Sequence, residues 1–174
     1  MAQCTPGKTI RVDFVAARLA EAATEYEIGS VAYDRYAFRK FEDECDAMGL
    51  TLSFVEHPQG GKRRARPTEE QLRAAKYSGE EQQGLWMPGS VKELESLILE
   101  GRIRLRRNPV LVSACMSAVI ETDPFDNRWF SKRKATNRID ALVALAMAVG
   151  AATTRPPPRV PDLDDFLAAA IIVG

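Results

Sequence analysis

Nine consecutive apolar residues, Ala141 to Val149, stand between Asp140 and Gly150. A helix that is apolar on every face has to be enclosed by other elements or by a bilayer. Spanning a bilayer takes about 20 residues, so this run predicts a buried helix of a soluble domain. Thr136 or Asn137 is the expected N-cap and Gly150 the expected stop. The rest of the chain must therefore supply layers around this helix. Asp140 falls in its first turn, and Lys132, Arg133, Lys134 and Arg138 all lie within the eight preceding residues. Two chemistries suit a carboxylate there. It can accept backbone N–H bonds at the positive end of the helix dipole, at N3 if Asn137 is the cap. It can also be a hard oxygen ligand for Mg2+ or Mn2+, with Lys132, Lys134 and Arg138 set against a DNA backbone.

At 174 residues and 45% apolar content the chain has the size of one domain with its own core. Lys and Arg balance Asp and Glu at 24 each, so only local clustering can report on partners. Cys4, Cys45 and Cys115 are scattered and never spaced as CxxC, which argues against a zinc site or a disulfide framework. With no apolar leader and no run of spanning length, the expected setting is the cytosol, with no membrane partner.

Met1 to Lys8 reads as a loop with a Pro6-Gly7 turn. Phe14, Val15, Leu19 and Ala22 recur at helical spacing and predict a helix from Asp13 to Tyr26. Ile28 and Val31 to Tyr33 read as a short buried strand ending at Asp34. A helix over Phe38 to Met48 stopped by Gly49 comes next, then a strand over Leu50 to Val55. Alternation of this kind predicts an α/β layer protein with parallel strands. Further on, Ser90 with Glu93 makes a capping box for a helix ending at Gly101. Arg102 to Arg107 alternates like an edge strand, and Asn108-Pro109 opens a helix through Ser117. Val119 to Thr122 and Arg128 to Phe130 are strand candidates around a turn. Residues 62–84 read as a polar insertion and 154–174 as a Pro-rich linker with a short apolar helix, leaving 1–153 as the domain.

Groups at the carboxyl ends of parallel strands face the crevice where ligands bind. Asp34 stands at such an end, where it could cap the following helix or take part in a site, and Arg35 beside it could contact phosphate. His57, the one histidine, falls in the turn-rich stretch His57-Pro58-Gln59-Gly60-Gly61 and reads as a solvated loop residue. Lys62 to Arg66 is a four-cation run whose default is a solvated loop, with contact to a DNA backbone the sharper option. From Arg102 to Arg138 there are nine basic residues against three acids, an excess that suits a polyanion.

Several blocks in order resemble a known family, the large subunit of the tailed-phage DNA-packaging terminase, in its C-terminal nuclease domain. They are Thr5-Pro6-Gly7 with Ile10 and Asp13, Val31-Ala32-Tyr33-Asp34-Arg35-Tyr36, Met87-Pro88 with Glu93-Leu94-Glu95, Leu99-Glu100-Gly101-Arg102, Asn108-Pro109-Val110-Leu111, and Lys134 with Arg138-Ile139-Asp140-Ala141. The resemblance implies a ribonuclease H-like α/β domain with three acidic positions that bind two divalent metals, Mg2+ or Mn2+, for phosphodiester hydrolysis. Asp34 matches the second acid and Asp140 the third. Lys132, Lys134, Arg138 and Arg35 become the expected DNA contacts. Double-stranded DNA, the portal and the small terminase subunit are the implied partners, and the host bacterial cytoplasm the implied location.

The chain departs from the family pattern in two respects. The strand bearing the first acid lies upstream of the Thr-Pro-Gly block, where only four residues are present, and no GxxxxGK[ST] phosphate loop occurs. An incomplete central sheet is therefore expected, as in a truncated nuclease half: a prophage remnant, a split gene, or one piece of a multi-chain terminase in which a separate chain carries the missing strand and the ATPase. Two ions about 4 Å apart need every ligand to hold them, so the isolated chain is expected to cleave DNA poorly or not at all. The alternative is a non-catalytic DNA-binding or packaging-assembly module.

Overall fold

The computed structural model describes residues 11–36, 38–61 and 85–154. The amino-terminal loop, the basic run from Lys62, the insertion at 62–84 and the tail after Thr154 lie outside these residues. The elements in chain order are α1 (Val12–Glu25), β1 (Val31–Tyr33), α2 (Phe38–Ala47), β2 (Phe54–Glu56), α3 (Met87–Leu99), α4 (Pro109–Ser117), β3 (Ile120–Thr122), β4 (Arg128–Phe130) and α5 (Asp140–Thr154). Helices and strands are mixed as expected. Among the described residues, however, the strands form two separate pairs rather than one sheet: β1 beside β2 in parallel, β3 beside β4 antiparallel.

The β1–β2 pair is held by Val31 opposite Phe54 and Tyr33 opposite Glu56, with the Val31 N–H donating to Ser53 and the His57 N–H to Tyr33. Strand pleating then turns the backbone groups of Ala32 toward the other edge. On one face of the pair, Tyr33 stacks on Phe38 with ring centroids 3.5 Å apart. Phe38 and Phe41 meet Phe54 edge-on at 5.1 and 6.0 Å. Such pairs contribute about 0.5–1.5 kcal/mol each beyond area burial, and they fix α2 over the strands. Gly49, at φ 70°, ends the α2 segment in the left-handed conformation that glycine adopts without a Cβ clash.

The main core is helical. Met87, Val91 and Leu94 of α3 and Ala114 of α4 close on Ile139, Leu142, Val143, Ala146, Met147 and Val149. Fully burying one such side chain stabilises the fold by about 1.5–3 kcal/mol, and this cluster determines how α5 sits. The apolar run is not enclosed on every side. Ala144, Ala148 and Ala152 form an exposed row at four-residue spacing, which small side chains permit because little apolar area is lost to water.

Local chemistry corrects several boundaries. α5 begins at Asp140 itself, and Asn137 is not its cap, its amide pointing instead to the Ser117 hydroxyl at 3.3 Å. Gly150 does not stop α5 but lies buried within it, because packing outweighs glycine's helix penalty of about 1 kcal/mol. α3 starts three residues before the expected capping box, with Pro88 in its first turn, so Ser90 lies inside the helix. Arg102 to Arg107 forms no strand. Ile103 packs on the core while the arginines stay in water, so its alternation reflects one anchored side chain and not a ladder.

Candidate functional site

β1 lies against α5, and between them opens a cleft of about 620 Å3. Gly29 to Asp34 form one wall. Ala144, Met147, Ala148, Ala151 and Ala152 form the other, and Gln59 reaches in from the loop after β2. The exposed alanine row therefore belongs to the α5 wall of this cleft. Gln59 is positioned by its amide, which contacts the Met147 sulfur at 3.7 Å.

Asp34 follows β1 directly, is exposed, and lines the cleft. Asp140 is the first residue of α5, one helical turn before the cleft-lining Ala144, or about 6 Å along the axis. It is not itself among the lining residues. The Lys132 ammonium is 2.9 Å from its carboxylate, with both side chains about half exposed or more.

The expected DNA contacts have defined neighbours. Lys134 pairs with Glu121 at 2.9 Å, and Ser131 donates to the same carboxylate oxygen at 3.1 Å. The Lys134 hydrogen bond, then that of Ser131, holds the Glu121 carboxyl below the usual carboxylate range. Arg35 faces Glu56 at 3.6 Å. Arg128 is bound at both terminal nitrogens by Glu95, which lowers the Glu95 carboxyl and raises the guanidinium. Arg138 is exposed and has no ion pair among the described residues. The basic excess seen along the chain is thus partly neutralised once folded.

His57 corrects the solvated-loop expectation, being fully buried. Its Nδ1 is 3.0 Å from the Pro58 carbonyl, which can only accept, so Nδ1 carries the proton. In the neutral ring that full burial favours, Nε2 accepts from the Ser90 hydroxyl at 2.7 Å. Histidine and serine therefore tie the loop bearing Gln59 to α3. A helix-interior serine has no sequence signature as a histidine partner, which is why this contact was not foreseen. Glu56 is a further acid at this end of the pair: it is the last residue of β2, opposite Tyr33 and so one position before the level of Asp34.

Among the described residues no three His, Cys, Asp or Glu side chains converge as a metal cage. Asp34 and Asp140 are exposed carboxylates, hard oxygen donors of the kind that Mg2+ takes alongside water. Two carboxylates are too few to hold a pair of ions.

Comparison with known proteins gives a consistent result. The family model described as terminase large subunit, endonuclease domain, matches residues 68–155. The terminase large subunit of Enterobacteria phage HK97 is 36% identical over 163 residues, covering 94% of this chain and 28% of that protein. The crystal structure of the HK97 bacteriophage large terminase is similar with a TM-score of 0.66 at 35% identity, covering 84% of this chain and 26% of that one. The chain thus spans between a quarter and a third of the length of the relatives it matches.

Proposed function

Because this chain belongs to the terminase large-subunit family and matches its endonuclease domain, we propose that it forms part of a divalent-metal-dependent nuclease that cuts double-stranded DNA during phage genome packaging. The observation that carries the reading is the placement of Asp34 at the carboxyl end of β1, on a cleft whose other wall is the helix that Asp140 opens. In an open α/β layer this is where ligands bind.

In this reading the fold is ribonuclease H-like, and Asp34 and Asp140 hold Mg2+ or Mn2+. When bound, such an ion stabilises charge on phosphate oxygens and lowers the pKa of a bound water. The chain's own residues orient the substrate. Arg138, exposed near the start of α5, contacts a phosphate. Lys132, Lys134 and Arg35 contribute positive charge along the same path, each held ready by an acid. β1 presents the backbone of Ala32 on the edge away from β2, and the cleft beside it has a wall of small side chains. A strand added there, carrying the further acid, completes the site.

The test is cleavage of supercoiled plasmid with Mn2+, together with Mn2+ binding followed by electron paramagnetic resonance. The isolated chain is expected to bind Mn2+ weakly, to lose that binding in Asp34→Ala and Asp140→Ala, and to cleave poorly. Robust cleavage by the chain alone, abolished by Asp140→Ala, would refute the need for an added strand. Unchanged Mn2+ binding in both variants would remove the two acids from the site.

A further inference from the structure

A second cleft lies beside the amino-terminal half of α5, where Ala141 and Leu145 continue the helix face that bears Ala144 and Ala148. Leu105 and Arg106 form one wall, Val110 and Leu111 of α4 the other, and Ala141 and Leu145 of α5 the floor, with Asn108 at one end. Its volume of about 430 Å3 falls within the range of clefts that hold ligands. The lining is mostly aliphatic, and Leu105 and Val110 are each about half exposed. Asn108 offers little to a ligand, because its side-chain oxygen already accepts from the Val110 and Leu111 N–H groups as the α4 cap.

The charge on the wall formed by the segment before α4 and by α4 itself is one-sided, while Asp140, which precedes Ala141 on the floor, is paired with Lys132. Gly101 to Ile120 contains four arginines and no acid. Arg102 is paired with Glu100, but Arg104, Arg106 and Arg107 are exposed and have no carboxylate partner among the described residues. In this they differ from Arg128, Lys132 and Lys134, each of which has one. An apolar slot with the unpaired Arg106 on its wall, and Arg104 and Arg107 flanking that wall in the chain, is complementary to a peptide that is apolar at its centre and acidic at its flanks. Duplex DNA would use the arginines and leave the aliphatic slot empty, since its outer surface is phosphate.

We propose that the groove between the Leu105–Arg106 segment, α4 and α5 docks a short acidic amphipathic segment of a protein partner, its aliphatic or aromatic anchor seated on Leu145 and its carboxylates on Arg104, Arg106 and Arg107. This groove shares no lining residue with the cleft that holds Asp34, and docking in it does not depend on cleavage.

The experiment selects binders from a library of short random peptides displayed against the immobilised chain. The leading peptide is then titrated against wild type, Val110→Asp and the triple variant Arg104→Ala, Arg106→Ala, Arg107→Ala. Both variants alter exposed side chains, and an unchanged thermal midpoint confirms folding. Selected peptides should place Asp or Glu beside Leu, Ile or Phe. The triple variant should weaken binding by about tenfold or more and flatten its salt dependence, since each exposed charge contributes modestly. Val110→Asp should abolish it. Selected peptides without acidic bias, or binding unchanged in both variants, overturns the proposal. Loss of duplex DNA binding in the triple variant with peptide binding intact overturns it too, and assigns the arginines to nucleic acid.

Discussion

Replacing Ser90 with Ala isolates the contact that ties the β2 loop to the helical core. In the folded protein the Ser90 hydroxyl donates to His57 Nε2 at 2.7 Å, and both residues are fully buried. A typical hydrogen bond contributes about 0.5–1.5 kcal/mol net, while depriving a buried acceptor of its donor costs about 1–3 kcal/mol. The expected loss is therefore about 1–3 kcal/mol. Urea unfolding measures it, with an unchanged m-value showing that the native and unfolded states keep their exposed areas. The double variant His57→Leu, Ser90→Ala should be less unstable than the sum of the singles, because it removes acceptor and donor together. A Ser90→Ala variant within about 0.5 kcal/mol of wild type would refute the reasoning. So would a nitrogen NMR spectrum showing His57 with its proton on Nε2.

A Cβ at Gly61 would overlap the indole ring of Trp129; Gly61→Ala should therefore cost about 1–3 kcal/mol of overpacking, and wild-type urea resistance would show that the loop can shift. Glu121 has a lower pKa folded than unfolded, so its pairing stabilises the fold above the unfolded value of about 4.3 and ceases to do so as pH falls through the folded value. The stability gap between wild type and Glu121→Gln should thus be present at neutral pH and close in acid, and a gap equal at both would exclude the linkage. Lys132→Ala frees the Asp140 carboxylate from its ammonium partner. Mn2+ affinity in the absence of DNA should tighten by about two- to fivefold, the weight of an exposed pair, and unchanged affinity would mean that Asp140 does not hold the ion.

How much of this was legible in the chain itself differs from element to element. The strand ending at Asp34, the α2 stop at Gly49, the Asn108 cap and the antiparallel pair around Asp123 to Asn127 follow from short-range chemistry: periodicity, a left-handed glycine, a side-chain oxygen facing two free N–H groups, and a turn. Asp123 shows how local such signals are, its carboxylate accepting from the Phe125 and Asn127 backbone within the turn. The apolar run of α5 likewise required a buried helix, and the pairing of acids with a basic segment suited a site for phosphate. Sequence could not say which face of α5 would stay open. That was decided by α3 packing on α5 over Met87, Val91 and Leu94, which left the row Ala144, Ala148 and Ala152 beside β1. Nor could it say which cations would be neutralised, since Lys132 finds Asp140 and Arg128 finds Glu95 only after the backbone has folded. The burial of His57 has the same origin. Its partner is 33 residues away on another element, and a contact of that range exists only when three-dimensional packing excludes water from both groups.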